Sequence, residues 1–346
     1  MTTVEQQNLQ QVKRRIDWVD LAKGFCIILV VFHHVAKVIG ANYLFDVQVG
    51  AFRMPLYFIL SGLFFKQYEG FVGFLKRKTN KLLIPFLFFF ITTAVIPYLA
   101  LIIHEEHPHY FFTFKFLYLK HEVMFNEPIW FLLGLFVVNI LFYGVQWLAG
   151  VISAKYKTWL VVAFCVIIGF AGLALGVGHV SLPLFLDTAM SALPLFAFGW
   201  WLFRHTDFMT VPAQPIRDIV VVALCLLVLW FLAVPVKWYC NGFSRESIGV
   251  VYLCGIAGTM MVLTVSKWIR RLPVVSYCGR YSIMVLCIHY PVATIVMAFL
   301  DKFISDEVVM IAVVFVITMA VSYALIPFML RFMPHVTAQK DVIKVP

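Results

Sequence analysis

The sequence predicts an all-α protein: a polytopic integral membrane helix bundle of about ten transmembrane helices with N- and C-termini cytoplasmic. Three observations carry that expectation. Of 346 residues, 63% are hydrophobic and 13% charged, with a mean hydropathy of +0.94, whereas soluble domains hold roughly 45–50% apolar and 25% charged residues. Long apolar runs recur along the chain, and ten spans of about 20 residues with short connections fit its length. The runs lack the two-residue alternation of barrel strands, and lipid permits only helices or closed barrels because it offers no partner to backbone N–H and C=O groups.

Reading apolar runs bounded by charge, Pro or Gly places spans near 18–39, 53–66, 82–103, 129–149, 159–178, 183–203, 218–236, 247–266, 281–300 and 308–330. The second is the shortest. Residues 1–17 are polar and form an N-terminal tail; the apolar run after them is too long for a signal-peptide core, so the first span is expected to remain. One membrane domain, 18–332, follows, and 333–346 is a C-terminal tail. No repeat or linker divides the domain.

The formal charge of +10 would suggest nucleic acid in a soluble chain, but no aromatic-plus-basic motif accompanies it. Here the excess orients the bundle. With the N-terminus inside, 19 of the 27 Lys and Arg residues fall on cytoplasmic segments. The cell (inner, cytoplasmic) membrane, crossed many times, is the expected location, with membrane lipids as neighbours. The connection 104–128 is interrupted by Lys115 and too short in its apolar middle, Tyr110 to Leu119, to span; it is expected to lie at the outer interface and roof a cavity. Six of the seven cysteines sit in or beside apolar runs or basic cytoplasmic residues, so no external pair is placed to oxidise.

Ionisable side chains inside a span are costly and tend to face a cavity. The first span carries several: Asp17, Asp20 and Lys23 at three-residue spacing, then His33 and His34. Eleven steps of 100° separate Lys23 from His34, so the two share a face about 16 Å apart along the axis. A plain alternative is an Asp20–Lys23 ion pair with a histidine bonded to a neighbouring helix. Arg53 marks the outer mouth of the second span. Ser61-Gly62 is small enough to admit a helix or a ligand, as is Gly172-x-x-x-Gly176, best assigned to packing. Lys76-Arg77-Lys78-Thr79-Asn80-Lys81 is a basic anchor in which Lys78 and Lys81, one turn apart, can hold an anionic phosphate. The polar run His104-Glu105-Glu106-His107-Pro108-His109 lacks the helical His-Glu-x-x-His pattern and is expected to be a solvated loop, with no metal assigned. Glu122 and Glu127 stand near the expected outer cavity.

These residues also carry a resemblance. The Asp-x-x-Lys-Gly of the first span with a histidine eleven residues after the lysine, Met54-Pro55-Leu56-Tyr57-Phe58-x-x-Ser61-Gly62, the Lys78/Lys81 pair before Leu82-Leu83-Ile84-Pro85, Trp130-Phe131-Leu132, and Gly279-Arg280-x-Ser282 with His289 together resemble the membrane acyltransferase 3 family, particularly its fucose 4-O-acetylase-like sugar acetyltransferases. The resemblance implies an O-acyltransferase that moves an acyl group, above all acetyl, from cytoplasmic acetyl-CoA (the acyl-CoA donor) to a hydroxyl of a sugar, glycan or lipid-linked saccharide acceptor at the outer side. His34 falls on the family's essential histidine, Lys23 on its basic partner, and Lys78 and Lys81 on its paired basic site. Two departures stand out: relatives in that branch commonly have His in place of Arg53 and a small residue in place of His33.

The chemistry expected from these residues is direct. Polyanionic CoA needs cations, supplied by Lys23, Arg77, Lys78 and Lys81. A thioester threading beside the first span reaches His34, whose imidazole takes the acceptor's proton. Tyr57, Ser61 or Arg53 stabilises the oxyanion, Ser61 or His34 being the nucleophile in a less favoured covalent route. Asp20, His33, Arg53, Glu127, Trp130 and His289 are the candidate acceptor contacts. The rival reading is a proton-coupled transporter of a small anionic or sugar substrate, since a Lys- and His-lined cavity suits that as well; the sequence lacks the broken, repeated spans expected of one.

Overall fold

The structure is a computed structural model and describes residues 16–41, 43–68, 70–103 and 124–345, without the side chains of 96–103. The expected roof Tyr110 to Leu119, the His104–His109 run and Glu122 lie outside the described residues. Among the described residues there are twelve α-helices: α1 Asp17–Ile39, α2 Asp46–Leu63, α3 Gly70–Lys78, α4 Ile84–Ile103, α5 Trp130–Ile152, α6 Lys157–Val177, α7 Leu186–His205, α8 Pro215–Leu232, α9 Val251–Ile269, α10 Pro273–Arg280, α11 Ser282–Leu300 and α12 Glu307–Phe332. No β-strand occurs among the described residues; a lone bridge joins Lys237 and Gly242.

Nine helical stretches among the described residues are long and apolar enough to cross a membrane. They correspond to nine of the ten expected spans, the third being α3 and α4 run together. The tenth, α2, starts seven residues earlier than expected, at Asp46 rather than 53, and is too polar to qualify. Its position explains why this is tolerated: α2 is packed between α7 and α9, with Ala51 to Arg53 and Pro55 to Leu60 buried, so its polar residues meet protein rather than lipid. On the periphery, α8 turns Ile216, Leu224, Trp230 and Phe231 outward.

Glycine sets how closely α2 approaches its neighbours. A methyl group at Gly62 would run into the Phe196 carbonyl of α7, and one at Gly199 into the Ile59 carbonyl of α2. Where lipid removes the hydrophobic drive between helices, such close backbone approach supplies the packing. Gly172 and Gly176 likewise abut Ser191 and Asn241, in line with a packing role.

Helix ends follow local chemistry. The first helix stops at Gly40, which adopts φ 83° and turns its N–H back to the Ala36 and Lys37 carbonyls. Between α3 and α4, Thr79–Leu83 forms one π-helical turn immediately before Pro85, whose missing N–H and bulky ring disfavour a regular α-turn there. That turn carries Asn80 and Lys81.

The C-terminal tail, expected as a separate segment, folds back onto this turn. Asn80 donates to the Ile343 carbonyl at 2.8 Å and accepts from the Val342 and Ile343 N–H groups at 3.0 and 2.9 Å. Lys81 donates to the Ala338 carbonyl at 2.8 Å and lies 3.3 Å from the Asp341 carboxylate.

The close α2–α7 crossing leads to a stability test. Gly62→Leu is expected to destabilise the purified protein by more than about 3 kcal/mol, seen as loss of its monodisperse peak or cooperative melt. Gly144→Leu, at a position with nothing within 4 Å, should melt as wild type; matching behaviour of the two variants would contradict the packing described.

Candidate active site

Among the described residues, two cavities open at opposite ends of the same helices. The basic-end cavity, about 400 Å³, is lined by Lys23, Tyr57, Ser61, Arg77, Lys78 and Lys81 together with Phe131, Asn139 and Ser282. The histidine-end cavity, about 570 Å³, is lined by His33, His34, Lys37, Tyr43, Asp46, Arg53, Glu127, Trp130 and Tyr239 among others. Both volumes fall in the roughly 300–1,000 Å³ range of small-molecule sites. Each of α1, α2 and α5 contributes to both: Lys23 and His34, Tyr57 and Arg53, Phe131 and Trp130.

The cavities have no lining residue in common. A thioester threading beside α1 from Lys23 to His34 therefore has to pass the side chains that stand between the two linings. Tyr57 and Phe131, whose rings are 5.4 Å apart, face the basic end, while their neighbours Met54 and Trp130 face the histidine end. The bulk of these side chains forms the layer between. The expected oxyanion donors split accordingly: Tyr57 and Ser61 belong to the basic-end cavity, and only Arg53 shares a cavity with His34.

At the basic end, the four expected cations come together. Lys23 points its ammonium towards the Phe64 ring at 5.9 Å, and Lys78 towards Phe74 at 5.6 Å. The Arg77 guanidinium stacks over Tyr68 at 4.5 Å. Lys81 is shared with the tail through Ala338 and Asp341. Deeper in, Asn139 donates to the Leu135 carbonyl at 2.8 Å, whereas its Oδ1 is buried with no hydrogen-bond partner among the described residues. This arrangement suits a polyanion at the rim and an amide-bearing arm inside, since an orphaned buried carbonyl is costly unless a donor reaches it.

At the other end, hydrogen bonding fixes the imidazoles. His289 Nδ1 is 2.8 Å from the Val285 carbonyl, so that nitrogen carries the proton and Nε2 is an acceptor. His34 Nδ1 is 2.8 Å from the Val30 carbonyl and 3.2 Å from His289 Nε2. Its proton therefore also sits on Nδ1, shared between two acceptors, and Nε2 is left with a free lone pair. The rings of His33, His289 and Tyr290 surround it at centroid distances of 5.3, 5.1 and 5.8 Å. His289 itself is fully buried and stands behind His34, not on the cavity wall as expected of an acceptor contact.

His33, one of the candidate acceptor contacts, opens on the same cavity as His34. Its Nδ1 lies 3.2 Å from the Asp46 carboxylate and 3.4 Å from the Tyr43 hydroxyl, which accepts from Arg53 Nη1 at 3.3 Å. Burial pushes the Tyr43 phenol up, so it stays protonated. Glu127 is already engaged: Lys37 binds its Oε2 at 2.5 Å, and the Tyr239 hydroxyl donates to Oε1 at 3.5 Å. Trp130 packs against Tyr239 and Phe185. Asp20 is buried and lines neither cavity; its turn of α1 is pressed against Gly279 of α10.

Sequence reasoning missed Tyr43, Asp46, Tyr239 and Asn139; Ser282, which closes the Gly279-Arg280-x-Ser282 motif, lines the basic-end cavity. Asp46, Arg53 and Tyr57 recur at seven and four residues, one helical face, but starting the span at 53 hid Asp46.

No curated protein and no solved structure matches the chain. The profile of the acyltransferase domain family Acyl_transf_3 matches residues 16–327, which takes in every residue of both cavities and nearly the whole bundle. The chain belongs to this acyltransferase family.

Proposed function

We propose that the protein is a transmembrane O-acyltransferase that takes an acyl group, preferentially acetyl, from acyl-CoA at the basic end and transfers it to a saccharide hydroxyl at the histidine end. The observation that carries the reading is the pairing of a four-cation cavity with an imidazole, on the same helices, whose Nε2 lone pair is kept free. The excess of basic residues puts the basic end in the cytoplasm, where acyl-CoA is available; the acceptor then binds on the outer side of the cell membrane. Family membership favours this over a proton-coupled carrier.

The 400 Å³ cavity admits the narrow acyl-pantetheine arm while the nucleotide stays at the rim. Lys78, Lys81, Lys23 and Arg77 hold its phosphates, with Lys81 exchanging the tail's Asp341 for phosphate. Asn139 Oδ1 accepts from an amide N–H of the arm. The thioester reaches His34 when Tyr57 and Phe131 give way. His34 Nε2 then removes the proton of the acceptor hydroxyl as its oxygen bonds to the thioester carbonyl carbon. As the C–S bond breaks, the imidazolium returns that proton to the leaving thiolate, releasing CoA-SH and the ester. His289 and the Val30 carbonyl hold the ring and stabilise the transient imidazolium by charge-assisted hydrogen bonding. Arg53, in the same cavity, orients the acceptor and faces the developing oxyanion.

Two measurements test this. With acetyl-CoA and extracts of cell-surface saccharide as acceptor, His34→Ala is expected to lower transfer by about 10²–10⁴-fold, the usual contribution of a general base, without loss of thermal stability; wild-type rates would refute the assignment. Binding of acetyl-CoA to the purified protein should weaken by about tenfold in Lys78→Ala or Lys81→Ala, in line with loss of one charged hydrogen bond. Unchanged binding in both variants would remove the donor site from the basic end.

A further inference from the structure

Charge in the histidine-end cavity is unevenly matched. Three cations, Lys37, Arg53 and Lys237, line it against two carboxylates: Glu127 pairs with Lys37 at 2.5 Å, whereas Asp46 hydrogen-bonds the His33 imidazole at 3.2 Å. Arg53 is only 9% exposed, and among the described residues no carboxylate pairs with it; one of its N–H groups reaches the neutral Tyr43 hydroxyl at 3.3 Å. Lys237 lies at the exposed rim.

A guanidinium cannot shed its proton to escape burial. Without a carboxylate in direct contact, and with cations in excess in the cavity, it makes the site costly to dry out, and a neutral ligand that displaced water would worsen that cost. A ligand anion removes it. The planar fork of N–H donors also fits the two oxygens of a carboxylate or phosphoryl group, which a lysine matches only as a point charge.

We propose that the acceptor is an anionic saccharide, bearing a carboxylate or a phosphoryl group, and that Arg53 is the residue that selects it. This rests on the reading of the histidine-end cavity as the acceptor chamber. The anion docks on Arg53, with Lys237 drawing it in, while another hydroxyl of the same sugar turns towards His34. Tyr43 fixes the guanidinium through its hydroxyl and so keeps the remaining N–H groups turned to the ligand.

The test is equilibrium binding to the full-length protein in nanodiscs, using D-glucuronate for the carboxylate arm, α-D-glucose 1-phosphate for the phosphoryl arm and D-glucose as the neutral probe. One or both anions should bind at least about tenfold more tightly than glucose, as a bidentate charged contact provides, and the arm that does so identifies the anion. Arg53→Gln should erase the preference, and Arg53→Glu should shift it to the cationic D-glucosamine. Glucose binding as well as both anions, no measurable binding of either anion, or an anion preference intact in Arg53→Gln would overturn the proposal. The wild-type comparison stands even if a variant misfolds. Acetyl-CoA binding to the same wild-type preparation separates the two levels: retained donor binding without anion preference sinks the acceptor class alone, whereas absent donor binding sinks the transferase reading beneath it.

Discussion

The hydrogen-bond chain from the Val285 carbonyl through His289 to His34 and the Val30 carbonyl is the interaction on which the site depends. It ties α1 to α11 at the level of His34. It also decides which nitrogen of His34 is basic. Both ends of the chain are carbonyls that only accept, so the protons have one consistent arrangement, and that arrangement leaves Nε2 open. A histidine bonded to a neighbouring helix and a histidine serving as base are usually rival readings of a polar residue inside a span; here one nitrogen does the first and the other is free for the second.

A second constraint is the layer between the cavities. A polyanionic donor and a polar acceptor cannot share a membrane interior without water unless each has its own polar chamber. Tyr57 and Phe131 on one side, Met54 and Trp130 on the other, keep those chambers apart. The tail bound at Asn80 and Lys81 places the Asp341 carboxylate on one of the cations of the basic-end cavity.

Much of this was legible in the sequence. Hydropathy and terminators such as Gly40 fixed the bundle and the end of α1, and the eleven-residue spacing put Lys23 and His34 on the inward face. What escaped was long-range. His34 meets His289 across 255 residues, Lys37 meets Glu127 across 90, and Asn80 meets Ile343 across 263; no periodicity carries such pairings. The start of α2 escaped for another reason. Asp46, Gln48 and Gly50 look unlike a span because hydropathy presumes lipid around a helix, and α2 is surrounded by other helices. The division into two chambers was hidden too, because a shared helical face states direction and not whether the space beside it is filled.

The most direct measurement is an experimental structure of the protein with a non-hydrolysable acetyl-CoA analogue. The account predicts phosphates on Lys78 and Lys81, Tyr57 and Phe131 displaced, and the acyl carbon close enough to His34 Nε2 for an acceptor hydroxyl at about 3–3.5 Å to bridge them. An analogue bound with its acyl end away from His34 and the aromatic layer closed, or one seated outside the basic-end cavity, would contradict it.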